Sequence, residues 1–212
     1  TAVLADGHDS AIFISLCSEW SACYATPADG RNARARRALH RFAHRSAPRG
    51  LLVEYALAMR EDGRSLDETE AQIRATLPDA HLLLIPRTLE NLVKNGRAPK
   101  LAGQLTQMLN IRLAVSPEWK SGEIKAIKKG RGAKRIVANT MADCLAFLAE
   151  HPGSSVRVLT TGATEEHELV SQALAGQDYV DAGTGPIGCT IATHVGVDAI
   201  AISYCPRYQP IH

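Results

Sequence analysis

The fold is best predicted from one stretch near the C-terminus, Gly183-Thr-Gly-Pro-Ile-Gly-Cys-Thr-Ile-Ala-Thr-His-Val-Gly-Val-Asp-Ala-Ile-Ala-Ile202. A short apolar strand at 179–181 leads into a glycine-rich turn. The pattern then predicts a short helix over 189–193 and a final strand over 199–204. Strand, helix and strand in succession are the repeating unit of α/β proteins, and this stretch therefore predicts that class.

The rest of the chain alternates in the same way. Ser65 and Glu68 have the three-residue spacing of a capping box, which places a helix start at that point. Apolar runs predict strands at 11–14, 81–85, 111–115, 124–127 and 156–160. Helical patterns predict helices over 50–59, 65–75, 89–94, 101–109, 136–149 and 165–175.

Composition limits the class of protein. The 212 residues are 45% hydrophobic but only 5% aromatic, so we expect an aliphatic core, and a net charge of +2 says little about partners. No apolar run approaches the roughly 20 residues of a membrane-spanning helix, and no signal-peptide pattern is present. The five cysteines lack zinc-ligand spacing, which indicates reduced thiols and a cytoplasmic location: Cys17, Cys23, Cys144, Cys189 and Cys205.

Residues 31–49 contain seven arginines. Four of them recur at helical spacing, which predicts a helix with one basic side: Arg34, Arg37, Arg41 and Arg45. Such a side is either a solvated helix face or a patch for phosphate, nucleic acid or an acidic protein. No aromatic residues are interleaved for base stacking, which argues against the nucleic-acid interpretation.

The glycines of the C-terminal stretch match G-x-G-x-x-G over residues 183–188. A dinucleotide site needs an acidic residue about 20 positions further on, and Asp198 is too close. The alternative is an anion-binding turn, in which Gly185 and Gly188 expose backbone N–H groups to a carboxylate at the start of a helix.

Three further positions carry polar chemistry. We expect His194 in an exposed loop, where its ring can donate to a carboxylate. Arg97 follows Asn95-Gly96 and is either a surface residue after a helix end or a guanidinium placed to hold a carboxylate. The Cys17-Ser18 pair follows the first strand, where a hydroxyl either binds an anion or caps a helix. No Gly-x-Ser-x-Gly elbow surrounds Ser18 to support hydrolysis.

Together these segments resemble the DegV family of fatty-acid-binding proteins. The residues at 14–24 resemble the family pattern I-S-x-S-S-x-L-S-G-T-Y, and those at 89–97 resemble L-E-Y-L-x-x-G-G-R. Four more segments resemble family patterns in the same order: 50–54 (G-L-L-V-x-E), 109–112 (L-N-I-K/R), 130–132 (V-R-G/T) and 185–196 (G-x-V-I-G-T-H-x-G).

The resemblance implies a two-domain α/β protein, with an N-terminal domain over 1–76, a C-terminal domain over 77–212 and a lipid tunnel between them. Ser18, Arg97 and His194 would hold the fatty-acid carboxylate, with Cys17 and Thr193 beside them. The chain begins at Thr1, and the family's first strand and a carboxylate-binding threonine would precede that residue. We therefore expect an N-terminal domain that is incomplete at its start.

The same resemblance implies a role without catalysis. In bacteria such proteins are the acyl-binding subunits of a fatty acid kinase, whose separate kinase subunit phosphorylates the bound carboxylate. Arg131 would lie on the face that meets this partner, and the fatty acid would be the ligand, with no cofactor and no metal. Two alternatives remain open: a hydrolase or acyltransferase using Ser18 or Cys17 with His194, and a phosphate or nucleic-acid binder using residues 31–49.

The chain departs from the family pattern at several positions. Cys17 replaces the first serine of the family's pair, and a thiol is a weaker hydrogen-bond donor than a hydroxyl. Val197-Asp198 replaces Pro-Gly just after the histidine motif, which adds a negative charge close to the expected carboxylate site.

Overall fold

A computed structural model describes residues 11–15, 39–43, 48–104, 110–118 and 121–210. The strands are β1 (Ala11–Ser15), β2 (Leu39–Ala43), β3 (His81–Ile85), β4 (Ile111–Pro117), β5 (Ile124–Arg131), β6 (Ser154–Thr160), β7 (Tyr179–Pro186) and β8 (Ile200–Cys205). The α-helices are α1 (Arg49–Glu61), α2 (Leu66–Thr76), α3 (Glu90–Lys94), α4 (Gly132–Glu150), α5 (Thr164–Leu174) and α6 (Cys189–Val195). Short 3₁₀ helices lie at Leu77–Asp79 and Pro99–Gln104. The predicted α/β class is confirmed.

Six strands form the main sheet in the order β5-β4-β3-β8-β6-β7. β6 and β7 are parallel and joined by α5, and the other neighbouring pairs are antiparallel. β8 lies in the middle, and every one of its residues is buried. A strand that is covered on both faces needs apolar residues at successive positions, and Ala-Ile-Ala-Ile meets that need.

The two faces of this sheet are covered by different helices. Ile200, Ile202 and Tyr204 of β8 belong to the core shared with α4 and α5. Ala201 belongs to the core shared with α3 and α6. Because side chains alternate along a strand, one β-strand supplies both cores. The face covered by α3 and α6 is called the inner face below.

A third apolar cluster joins the N-terminal elements to the end of β8. Leu51 and Leu52 of α1 and Ile73 of α2 are buried together with Cys205 and Tyr208. β1 and β2 form a separate parallel pair, and side chains of β1 pack against the same cluster. The division into domains at 76/77 remains a prediction.

The predicted basic helix is wrong over residues 39–43. These residues form β2, in which Arg41 pairs with Phe13 of β1. Strand pairing outweighs the local spacing of the arginines, because tertiary contacts routinely override weak helix propensity. Residues 31–38 and 44–47 lie outside the described residues, so the basic stretch as a binding surface stays a prediction.

Two other boundaries differ from the sequence-based expectation. β7 continues to Pro186, so that Gly183 and Gly185 lie in a strand and not in a turn. The predicted helix over 101–109 begins as a 3₁₀ helix that reaches Gln104, and residues 105–109 lie outside the described part.

Candidate functional site

An apolar cavity of about 370 Å³ lies on the inner face of the sheet. Its floor is made of side chains from five strands, and α3, α6 and the first residues of α1 enclose it. The floor follows the pairing register, because Leu159, Ala201, Leu84 and Val115 are cross-strand neighbours along one row. Such a row is continuous only when each strand presents its apolar residues to the same face.

Arg97 enters this cavity from the loop after α3. The helix ends at Asn95-Gly96, and the Arg97 backbone N–H donates to the Leu92 carbonyl. Its guanidinium Nη1 donates to the Asn95 carbonyl at 2.6 Å, which fixes the direction of the side chain. The helix end thus places a half-buried cation in a largely apolar space.

His194 enters the same cavity from the last turn of α6. The loop predicted for His194 is wrong, since the residue is helical and half-buried. Its Nδ1 is buried and has no hydrogen-bond partner among the residues that the structure describes. Burial lowers the pKa of His194, and the positive charge of Arg97 lowers that pKa further. The ring is therefore a neutral, unsatisfied polar group beside a cation.

Close contact between α3 and α6 brings these two side chains together. Asn95 Nδ2 donates to the Thr193 carbonyl at 3.1 Å, which links the ends of both helices. α6 stops at Gly196, whose φ of 79° favours glycine. A Cβ at Gly196 would lie 2.6 Å from Asn91 Nδ2 of α3, so a larger residue would have to displace the Asn91 side chain.

The other sequence-predicted residues occupy different places. Gly188 precedes α6 and lines the cavity together with Thr190, whereas Gly185 pairs with Leu159 inside the sheet. Thr193 is exposed, and its hydroxyl donates to the Thr190 carbonyl at 2.8 Å. An anion-binding turn made of both glycines therefore does not form.

Arg131 lies at the far end of β5, directly before α4, and it is exposed. It pairs with Ile111, whereas the cavity-lining Ile124 sits at the other end of the same strand. Cys17 and Ser18 lie outside the described residues. Their proposed contact with a carboxylate, and a hydrolase that would combine them with His194, stay predictions.

Arg157 is a cavity residue that the sequence interpretation missed. It lies on β6 in the run Val156-Arg157-Val158-Leu159, where the two valines face α4 and α5. Strict alternation along the strand places Arg157 and Leu159 on the opposite, inner face. That alternation was the available signal, because a charged residue on a core-facing side of a strand needs partners or a ligand.

No group of three or more metal-ligating side chains occurs within the described ranges. In that same part of the chain, no helix has the length and apolar character needed to cross a bilayer. The cavity is thus a largely apolar space bordered by Arg49, Arg97 and Arg157 and by an imidazole whose Nδ1 has no partner among the described residues. Such a space suits an amphiphilic acid.

Comparison with known proteins assigns the family. A family model described as "Uncharacterised protein, DegV family" matches residues 1–207. The chain belongs to the DegV family. A DegV domain-containing protein of Clostridium acetobutylicum is 29% identical over 161 residues, which are 75% of this chain and 56% of that protein. The chain thus spans about half the length of the curated DegV relatives it matches.

Solved DegV structures share the fold. A fatty-acid-binding DegV family protein from Thermus thermophilus is 20% identical, with a TM-score of 0.81, and the match covers 97% of this chain and 74% of that chain. The fatty acid kinase B3 protein of Streptococcus pneumoniae, solved with linoleic acid, is 19% identical. Its TM-score is 0.79, with 96% of this chain and 74% of that chain covered.

Proposed function

We propose that this DegV chain binds one long-chain fatty acid in the cavity and holds its carboxylate at Arg97 and His194. The observation that carries the proposal is the convergence of these two side chains on a largely apolar space. One is cationic, and the other has a buried nitrogen with no partner among the described residues. An ionised carboxylate pairs with the guanidinium and accepts from the imidazole, so the buried nitrogen of His194 gains a partner.

The size of the cavity agrees with such a ligand. Small-molecule sites usually measure about 300–1,000 Å³, and 370 Å³ suits one slender molecule. Five strands at about 4.8 Å spacing make a floor roughly 19 Å across. An extended alkyl chain advances roughly 1.25 Å per carbon, from C–C bonds of about 1.5 Å, so roughly 15 carbons fit across the floor. Each buried methylene contributes about 0.8 kcal/mol.

The likeness to fatty-acid-binding DegV structures supports the same ligand. The neighbour from Streptococcus pneumoniae is named as a fatty acid kinase protein, which supports the further proposal that a separate kinase subunit phosphorylates the bound carboxylate. This chain then needs no catalytic residue of its own, and Arg131 lies on the surface that the kinase contacts. ATP-dependent chemistry and the free thiols of Cys144, Cys189 and Cys205 agree with a cytoplasmic location.

Organic extraction of the purified protein followed by mass spectrometry tests the ligand. We expect about one long-chain fatty acid per chain, and delipidated protein should take up palmitic or oleic acid to the same ratio. Failure of the delipidated, folded protein to take up either acid would overturn the proposal. Arg131→Ala should retain the fatty acid but lose phosphorylation by the kinase subunit, which separates binding from partnership.

A further inference from the structure

A second cavity, of about 480 Å³, lies on the same inner face of the sheet. It is bounded by α1, by the first half of β7 and by the residues at the end of β8. Its lining includes Glu54, Ser155, Ala182, Cys205 and Arg207. None of these residues lines the first cavity, whereas Leu51 lines both.

The pairing register places the two cavities on consecutive rows of one face. Arg157 pairs with Ser203, and both line the first cavity. Ser155 pairs with Cys205, and both line the second cavity. Two residues along a strand advance roughly 6.7 Å, so the cavities are neighbours with one layer of side chains between them. This layer includes Leu51 of α1, which lines both cavities, and Arg157, which lines the first cavity and bonds to Glu54 and Ala182 in the wall of the second.

The guanidinium of Arg157 is fixed across this boundary. Nε and Nη2 donate to the Ala182 carbonyl at 2.9 and 2.6 Å, and Nη2 pairs with Glu54 at 2.5 Å. Both acceptors belong to the wall of the second cavity. A Cβ at Gly50 would overlap Nη1, so α1 approaches the guanidinium as closely as a glycine allows. The side chain therefore bridges β6, β7 and α1.

Because Arg157 has these partners, its expected role in binding differs from that of Arg97. Its charge is balanced by Glu54, and its Nε and Nη2 already have an acceptor, so it has little to gain from a fatty-acid carboxylate. Its aliphatic stem lines the first cavity, as long charged side chains do when the head group is held elsewhere. Such a residue closes an apolar space without attracting the ligand head.

We propose that Arg157 determines the length of the fatty acid by separating the two cavities. The inference rests on the proposed function. With the carboxylate at Arg97 and His194, the alkyl chain extends toward α1 and ends at Arg157. Removal of this side chain joins the cavities, so that the tail of a longer acid extends from the first cavity into the second.

A pair of saturated acids tests this role in the full chain. Dissociation constants for palmitic acid and the longer behenic acid are measured for the wild type and for Arg157→Ala by displacement of a fluorescent fatty acid. We expect Arg157→Ala to keep palmitic acid and to shift the affinity ratio roughly tenfold or more toward behenic acid, since two further buried methylenes suffice for that change. Arg207→Ala is the matched control, because Arg207 is exposed and lines the second cavity alone, and its ratio should stay at the wild-type value.

Gly50→Ala provides a second route. The added methyl group displaces the guanidinium while Arg157 remains, so the ratio should shift in the same direction. If Arg157→Ala fails to fold, Gly50→Ala decides the question.

Unchanged ratios in the folded variants that bind palmitic acid would overturn this inference and leave the proposed function intact. A folded Arg157→Ala protein that loses both acids would also overturn it, since Arg157 would then be needed for binding itself and not for the choice of chain length. A wild type that binds neither acid would overturn the proposed function and this inference together.

Discussion

Arg97 and His194 meet in the cavity, where the cation disfavours a positive charge on the imidazole ring. The charge of Arg97 adds to burial in lowering the pKa of His194, and the buried Nδ1 has no partner within the described residues. Both effects are reversed by an anion placed between the two side chains, because a carboxylate favours positive charge on the ring and accepts a hydrogen bond from it. A bound carboxylate would therefore give Nδ1 a partner and offset the effect of Arg97 on the ring.

Arg97→Ala and His194→Ala should each weaken fatty-acid binding by about 1–3 kcal/mol, the usual size of a lost charge-assisted hydrogen bond. Isothermal titration with oleic acid measures the change. Thr193→Ala serves as the neighbouring control, because its hydroxyl is exposed and bonded to the Thr190 carbonyl. Equal affinity in the wild type and both cavity variants would contradict the head-group assignment.

Binding should depend on pH through His194. The pKa of His194 is lowered from 6.5 in the free protein, and a bound carboxylate raises it, so binding takes up a proton. Affinity is therefore highest below the pKa of the free protein and falls as pH rises through the pKa of the complex. Titrations between about pH 5.5 and 8 measure this slope, and His194→Ala should abolish it. A slope that survives in His194→Ala would assign the proton to another group.

The sequence identified Arg97 and His194, and the structure brings both to one cavity. The sequence did not identify Arg157, whose proposed role depends on a pairing between β6 and β8 and on a carbonyl 25 residues away in β7. The cross-strand register follows from long-range pairing, which local pattern does not determine.

At the scale of single elements, local sequence patterns predicted most helix starts and most strands. The Ser65–Glu68 capping box forms with both reciprocal hydrogen bonds, because its two partners lie within one helical turn. β2 and the extension of β7 were missed, since each depends on a neighbouring strand, β1 or β6, that the local sequence does not reveal.

The junction of β5 and α4 depends on Gly130. A Cβ at this position would lie 2.6 Å from the backbone nitrogen of Ile136 and 2.7 Å from its Cα, and backbone atoms have little room to yield. Gly130→Ala should therefore lower the free energy of unfolding by about 1–3 kcal/mol, as overpacking commonly does. Chemical denaturation monitored by circular dichroism measures the loss.

Gly103→Ala is the matched control for that variant. An added Cβ at Gly103 meets no atom of the described residues within 4 Å, so the stability of Gly103→Ala should differ little from that of the wild type. An equal loss in both alanine variants would mean that backbone flexibility, and not the close approach of α4 to β5, sets the cost.

At the scale of the molecule, a buried ion pair joins the sheet to its outer helix layer. Arg112 of β4 pairs with Glu166 of α5, and their side chains are 7% and 6% exposed. Burial lowers the pKa of Arg112, and its Nε and Nη2 have no partners within the described ranges. A charge that is buried in this way has lost its hydration, and only the attraction of its partner compensates for that loss.

Glu166→Ala should cost about 3–5 kcal/mol of unfolding free energy, because it leaves the Arg112 charge buried and unpaired. The double variant Arg112→Met with Glu166→Leu should lose much less, since no charge stays behind. Denaturant midpoints of both proteins give the comparison. A double variant as unstable as Glu166→Ala would contradict this account.

The α/β class could be predicted from the alternation of helices and strands. The family resemblance could be predicted because six short segments match the family patterns in the same order. The cavity could not be predicted from the sequence, since its floor combines side chains from five strands. Their pairings connect residues as distant in the chain as Leu84 and Ala201. A site assembled from so many separate segments is visible only after the chain is folded.

Carbon-13 NMR of carboxyl-labelled palmitic acid tests most directly whether a fatty-acid carboxylate lies between Arg97 and His194. Bound to the wild type, the label should give one resonance distinct from free acid and titrate at a lower pH than in water, because positive charge and hydrogen bonds favour the ionised form. The resonance should move in Arg97→Ala and His194→Ala and stay unchanged in Arg207→Ala. A bound resonance that is identical in all four proteins, or no bound resonance at all, would contradict the account.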